Sequence, residues 1–550
     1  MDRIKVTVFS PREDSRRTRL LGALSELYPV AFFEKATLDQ MQGDAALLFG
    51  VSRADAIRVA RSGLPCLAFI DAQSAPARVA MAGIQFTEAA YLPACFRGRT
   101  LSDEVANPLS RLILEPGDQV LARKGEEILW IHRKEGTTNL DLAAMEPAGV
   151  AEGGHLFQNF LAGRWSRLLP MLHFLRKVTD GTGWELPPLR ACFMFDDPNL
   201  HALSYGYVNY PSLAREAEVH RYHVSFATVP FDGWYVNRKA ATLFREKAKY
   251  LSLLVHGNNH TTRELAQVRT EEQRRVLATQ SLARIERLER VSGLEIPRVM
   301  AAPHGACRGE MAASLLQAGY EAACISRSAI MNHNRQQVWP LTVGMNPAEF
   351  LGGGLPVIPR FGMTKECQAE VLLATFLGQA IVPMGHHGDL AGGLDVLRDL
   401  AAVINDMGDV QWVDLKSIAR SNYCTRRETE VLRVKMYSRR IHVRVPEGID
   451  QISVERPWLT SARKEPLTWR EGLAGPVHIL ESDQEEIIRV MPGTNVDIAS
   501  LCLDAIDPGS VSFPRTALAA IGRRYLCEAR DRLQPLLHRL MAPGKVNGVA

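Results

Sequence analysis

No apolar run in this chain approaches the roughly 18 residues that a membrane-spanning helix requires, so no span is expected. Charge of one sign is also missing. The 65 Lys and Arg against 61 Asp and Glu leave a net charge of +4, too little over 550 residues to anticipate nucleic acid. Cys-x-x-Cys pairs are absent, and the nine cysteines are scattered and odd in number. That pattern fits reduced thiols in a cytoplasmic protein better than a disulfide framework. The start, Met1-Asp2-Arg3-Ile4-Lys5-Val6, runs directly into a strand-like alternation. It lacks the apolar block and small-residue cleavage site of a secretory signal. No internal repeat stands out, and nothing in the sequence speaks to oligomeric state.

A chain of 550 residues exceeds one hydrophobic core, so two to four domains are expected. Over residues 1–95, short apolar runs (Ile4–Phe9, Val30–Phe33, Ala45–Gly50, Cys66–Ile70) alternate with helical spacing at Arg17–Leu27 and Ala54–Ser62. They predict a doubly wound α/β domain. Gly50-Val51-Ser52, between a strand and a helix, is a weak anion-site candidate in an otherwise scaffold-like region. Residues 96–150 read as a small β-rich segment ending in a Gly/Ala-rich linker, Pro147–Gly154. The spacing over Phe157–Val178 predicts a helix that packs on the following domain. Residues 151–425 alternate strands and helices in the manner of a parallel β/α barrel. Residues 426–510 alternate like a β-sandwich, with a polar loop between Trp458 and Gly472, and residues 511–550 hold an amphipathic helix and a tail. The expected fold is therefore α/β: a distorted parallel β/α barrel flanked by an N-terminal doubly wound α/β domain and a C-terminal β-sandwich-like domain.

Chemistry concentrates in the barrel. Nine of the 15 histidines lie between His201 and His387. The apolar run Ala191–Phe195 ends in Asp196-Asp197, and Leu251–Val255 ends in His256-Gly257-Asn258-Asn259-His260. Two imidazoles spaced i, i+4 across a glycine-permitted turn can converge on one ion, and zinc accepts such nitrogens. Thr261-x-x-Glu264 reads as a capping box that would start a helix just after His260. Adjacent carboxylates repel each other, and a cation or a proton-accepting role relieves that cost. Consecutive side chains of a strand point apart, so one carboxylate can face a metal and the other a reacting atom. The plainer alternative is a solvated Asp-Asp-Pro turn.

Taken together, these motifs resemble the polysaccharide deacetylases of carbohydrate esterase family 4. Met194-Phe195-Asp196-Asp197-Pro198 is similar to the first motif, Thr-Phe-Asp-Asp-Gly. His256-Gly257-Asn258-Asn259-His260 resembles the His-x-x-x-His motif, and Ala301-Ala302-Pro303-His304-Gly305 the Arg-x-Pro-Tyr-Gly loop. Ile381-Val382-Pro383-Met384-Gly385-His386-His387 resembles the late histidine, and the order and spacing match over residues 189 to 420. The resemblance implies a distorted β/α barrel and a divalent metal, zinc above others, held by Asp197, His256 and His260. It further implies Asp196 as catalytic base and His386 as general acid, with His387 as the alternative register. Pro303, His304 and Gly305 would meet the substrate. The motif's arginine is absent at Ala301, leaving Arg360 as a candidate to orient the base or touch substrate. Tyr205, Tyr207, Trp234 and Tyr235 could wall a sugar ring. His201, His220, His223 and His333 read as structural, and Cys307 as a buried thiol. The implied function is metal-dependent hydrolysis of an amide, an N-acetyl group on a small-molecule sugar or oligosaccharide. The alternatives are an inactive carbohydrate-binding or scaffolding protein on the same barrel, or a hydrolase of a non-sugar C–N bond.

Overall fold

The computed structural model describes residues 3–71, 83–102, 112–159, 165–364, 367–459, 465–472, 474–481 and 486–541. The chain forms two compact units, Met1–Glu185 with Val338–Asn346, and Leu186–Gln337 with Pro347–Ala550.

The first unit is built on one nine-stranded sheet. Ile4–Phe9, Val30–Lys35, Ala45–Val51 and Cys66–Ile70 pair in parallel. Thr138–Ala143 then joins Cys66–Ile70 in parallel register and leads into an antiparallel meander. Residues 119–143 thus extend the sheet of the preceding residues. Pro147–Gly154, read as a linker, also stays in this unit, where the Val150 N–H donates to the Arg16 carbonyl at 2.9 Å. The helix expected over 157–178 is realised as Leu169–Val178 and packs against Cys66–Ile70 and Thr138–Ala143. It belongs with the first unit because its apolar side meets the face those two strands leave open. Ser52 caps the helix Arg53–Arg61, and its hydroxyl is 2.7 Å from the Asp55 carboxylate, so that helix start already carries its own anion.

The second unit contains a nine-stranded sheet from which the site is made. Its strands are β1 (Phe193–Asp196), β2 (Val224–Thr228), β3 (Leu251–His256), β4 (Val299–Ala301), β5 (Ala322–Cys324), β6 (Glu349–Leu351), β7 (Leu355–Ile358), β8 (Phe361–Gly362) and β9 (Pro383–His386). The hydrogen-bonded order is β6-β7-β5-β4-β3-β2-β1-β9-β8, parallel except for β6. Strands β7 and β8 stand near opposite ends of that order, yet only Pro359 and Arg360 separate them in sequence. Three residue steps reach roughly 11 Å at most, so the sheet has to curl until its two ends meet. Met194, Ala227, Leu254, Ala301, Cys324, Ile358 and Val382 pack together as one buried cluster. Strand alternation then fixes which polar residues share that face: Asp196 lies two residues past Met194, His256 two past Leu254, and Arg360 two past Ile358.

Beyond residue 422, two four-stranded sheets share one core, with Val434, Ile452 and Ile488 from one and Ile441, Leu467 and Ile498 from the other. The expected polar loop between Trp458 and Gly472 contains a strand instead, Leu467–Glu471, which pairs with Asn495–Ser500. The last described element is the helix Leu518–Met541, with Pro535 inside it.

Candidate active site

Strand β1 delivers two carboxylates that behave differently. Asp196 is the last residue of the strand and is buried, with Oδ1 accepting from Arg360 Nη1 at 3.1 Å. Regular alternation would turn Asp197 away from it. The Asp197 backbone instead takes φ +84°, which a non-glycine residue rarely adopts, and this swings its carboxylate back toward the sheet's tip. His260 and His304 also have positive φ, at 56° and 57°. Such strained residues cost roughly 1–3 kcal/mol each and gather where geometry serves a function.

Asp197 Oδ1 lies 3.1 Å from His260 Nε2 and 3.9 Å from His256 Nε2. Asp197, His256 and His260 can each offer one ligand atom, all within 4.8 Å of one another. His256 Nδ1 is 2.9 Å from the Ala301 carbonyl, so Nδ1 carries the proton and Nε2 keeps its lone pair for the space beside Asp197. Asp197 Oδ1 is buried and has no hydrogen-bond donor among the described residues. An orphaned carboxylate oxygen facing two imidazole nitrogens is a donor set suited to a divalent cation. Burial alone would raise the Asp197 pKa, but the charges of His260, His256 and Arg524 prevail and hold it below the ordinary value. Burial, followed by the neighbouring His256, pushes the His260 pKa down.

The turn between the two histidines is held by Glu264. Its carboxylate accepts from three successive backbone N–H groups, Asn258 at 2.7 Å, Asn259 at 2.9 Å and His260 at 3.2 Å. The residue does not cap a helix as Thr261-x-x-Glu264 suggests. The next helix begins at Glu271, capped by Thr270 and Gln273. Three unpaired donors in the bend hold the carboxylate more strongly than one helix end would. Gly257 is required there, because a Cβ would sit 2.5 Å from Glu264 Oε2 and 2.6 Å from Pro303 Cγ. From the helix Glu271–Ser292, Arg284 Nη1 donates to Asn258 Oδ1 at 2.6 Å and Asn259 Oδ1 at 2.8 Å.

The other expected residues separate into groups. Arg360 is buried and donates to Asp196 and to the Ala302 carbonyl, the contacts of a residue that orients the base. Pro303 is buried beneath Gly257, whereas His304 is exposed with its ring centroid 5.3 Å from that of His260. Gly305, at φ +66°, follows on the same loop. His386 pairs in register with Asp196 and is exposed. His387 is buried, with Nε2 3.5 Å from Asp531 Oδ1 and its ring stacked on Tyr207. Tyr205 corrects the expectation of an aromatic wall. It is fully buried and donates its hydroxyl to Asp531 at 2.9 Å, so no sugar ring can stack on it. Trp234 is 48% exposed and open to a ring ligand. His201 and His223 have both ring nitrogens engaged within the protein. All nine cysteines are free, and burial pushes the Cys307 thiol up to about 12.

The amphipathic helix expected within residues 511–550 is present as Leu518–Met541, but sequence reasoning missed what it brings to the site. Arg524 donates to Asp232 at 2.6 Å, lies 3.6 Å from Asp197 Oδ1, and donates to the Asp197 carbonyl at 3.2 Å. Glu528 accepts from His201, and Arg532 donates to Asn199 Oδ1 at 2.9 Å and to the Ser204 carbonyl at 2.7 Å. The available signal was the spacing of Arg524, Glu528 and Asp531, an i, i+4, i+7 charged stripe on one helix face.

No family model and no curated protein matches the sequence. Solved structures do match. They include carbohydrate deacetylases. One described as a novel carbohydrate deacetylase aligns at 10% identity over 90% of this chain and 98% of its own, with a TM-score of 0.47. A family 4 carbohydrate esterase from Streptomyces lividans aligns at 12% identity over 40% and 88%, TM-score 0.24. A family 4 pseudoenzyme from Bacillus anthracis aligns at 9% over 42% and 65%, TM-score 0.25. At these scores the functional reading rests on the site's own geometry.

Proposed function

We propose that this protein hydrolyses an amide, an N-acetyl group on a sugar or glycan precursor, with the help of a divalent cation. The observation that carries the reading is the convergence of an undonated Asp197 oxygen with the imidazole nitrogens of His256 and His260. Those three residues would hold the cation, zinc by the nature of the donors. When bound, such an ion polarises an acyl oxygen and lowers the pKa of a water toward roughly 7.

The chain's own groups supply the proton transfers. Asp196 takes a proton from the attacking water, and Arg360 holds its Oδ1 in place. Water oxygen bonds to the acyl carbon, the C–N bond breaks, and the products are a carboxylate and an amine. His386, across the register from Asp196, delivers the proton to the departing nitrogen. His387, braced by Asp531, is the second candidate for that role. His304 and Trp234 would border the substrate.

The test is a metal analysis of the purified chain combined with acetate release from N-acetyl sugars and simple amides. We expect near one cation per chain, with Asp196→Asn keeping the metal and losing turnover by roughly 10²–10⁴. Acetate release unchanged in Asp196→Asn would remove the mechanism. Glycan binding without hydrolysis in either form would leave the binding-protein reading.

A further inference from the structure

The C-terminal helix is amphipathic in the reverse of the usual sense. Its charged face is the buried one, with Arg524 3%, Glu528 7% and Asp531 2% exposed, all engaged with the site's surroundings. Its apolar face points out: Leu518 is 85% exposed, Leu526 73%, Leu533 51%, Leu536 53%, Leu537 53% and Leu540 82%. At 3.6 residues per turn these leucines fall within an arc of roughly 120°. Isolated exposed leucines are ordinary, but a continuous leucine stripe along six turns marks a surface that something covers.

The flanks of the stripe identify its chemistry. Arg523 and Arg530 are exposed along one edge, Arg530 while donating to the Asp531 carboxylate, and Arg532 on the other side is turned onto the protein by Glu528, Asn199 and the Ser204 carbonyl. The helix's only acids, Glu528 and Asp531, are both buried, so its exposed side carries leucines and arginines and no carboxylate of its own. Beside the stripe, the exposed rings of Trp234 and Tyr235 stand with Tyr525, the Trp234 and Tyr525 centroids being 6.1 Å apart. Tryptophan and tyrosine at the rim of an apolar face, with arginines able to reach toward headgroups, are the features of a helix lying in a bilayer interface. No described helix is long and apolar enough to cross a membrane.

We infer that the leucine face of Leu518–Met541 docks on an anionic lipid bilayer, with the charged face remaining on the protein beside Asp197 and His387. The inference stands independently of the hydrolase reading except at Trp234, whose exposed ring both readings use. It is tested by co-sedimentation of the full chain with vesicles of phosphatidylcholine alone and of phosphatidylcholine with phosphatidylglycerol, alongside light scattering. Each arginine at an anionic surface is worth roughly a fivefold change, and Arg530 already faces Asp531, so Arg523 predicts about fivefold tighter partitioning to the anionic vesicles, weakened by salt. L526E/L533E, at exposed positions that leave the buried face untouched, is expected to abolish partitioning while the circular dichroism stays as in the wild type. Two results overturn the inference. One is a chain that stays monomeric and ignores both vesicles. The other is a dimer that L526E/L533E dissociates without any vesicle binding, which would make the face a self-association surface.

Discussion

Replacing Glu264 by glutamine probes the turn that sets the two imidazoles, without touching a ligand. The wild-type carboxylate accepts three backbone N–H bonds, from Asn258, Asn259 and His260. Hydrogen bonds to a charged acceptor contribute about 1.5–3 kcal/mol and neutral ones about 0.5–1.5, so losing the charge costs about 1 kcal/mol per bond and about 3 kcal/mol for the set. A glutamine also offers one accepting oxygen where two are used now. Its NH₂ would face the Asn259 N–H, which lies 2.9 Å from Oε1. The bend that keeps His260 at φ +56° then loosens, and the His260 ring leaves its place 3.1 Å from Asp197. Supporting residues of this kind change metal affinity by roughly 10–100-fold. Calorimetric zinc titration of Glu264→Gln against wild type should show that loss, and chemical denaturation the lowered stability. A folded Glu264→Gln protein binding zinc to within about twofold of wild type would refute the assigned role of the turn.

Four further outcomes are expected. Arg524→Met leaves the buried Asp232 carboxylate unpaired and should destabilise by about 3–5 kcal/mol, read as faster proteolysis at the C-terminal helix; adding Asp232→Asn should restore much of it. Arg360→Lys keeps a cation near Asp196 but loses the guanidinium's two-sided reach to Asp196 and Ala302, so kcat should fall with KM and metal content little changed. Asp531→Asn removes the carboxylate 3.5 Å from His387, and a collapse of kcat with metal retained would move the proton-donor role from His386 to His387. The His201–Glu528 pair makes the helix contact pH-dependent. Burial would raise the Glu528 pKa, but hydrogen bonds from His201 and Arg532 draw it from 4.5 to about 2, so its contribution is whole above 4.5 and lost as pH falls toward 2. Burial likewise opposes His201 protonation, but Glu528 and the Asp232 carbonyl raise its pKa, so its contribution is whole below 6.5 and lost as pH rises through the raised value. The contact is therefore strongest between 4.5 and 6.5, which a fluorescence titration of wild type against Glu528→Gln can follow.

Much of the second unit was legible because burial writes a simple pattern. Apolar runs such as Phe193–Phe195 and Leu251–Val255 could only be inner strands, and both observed strands end on the polar residues expected, Asp196 and His256. Of the helix expected over 157–178 the second half formed, Leu169–Val178, and its partner was not the expected one, since apolar spacing states that a face is buried and not against what. Leu467–Glu471 was missed because its neighbours are polar and it needs Asn495–Ser500 beside it to count as a strand. Glu264 misled for a related reason: a capping box and a carboxylate cradling three amides look alike in one dimension.

The sequence by itself determined which side chains could share a face, because strand alternation is local and carries Asp196, His256 and Arg360 to the side of their apolar neighbours. Tertiary structure alone decided the rest. It placed Arg360 on Asp196 through the curling of a sheet whose strands β7 and β8, near its opposite ends, are three residues apart in the chain, and it turned Asp197 inward by a backbone angle that side-chain chemistry does not announce. It also brought Arg524 and Asp531 to the site from more than three hundred residues away, since contacts at that separation depend on the closure of the whole unit.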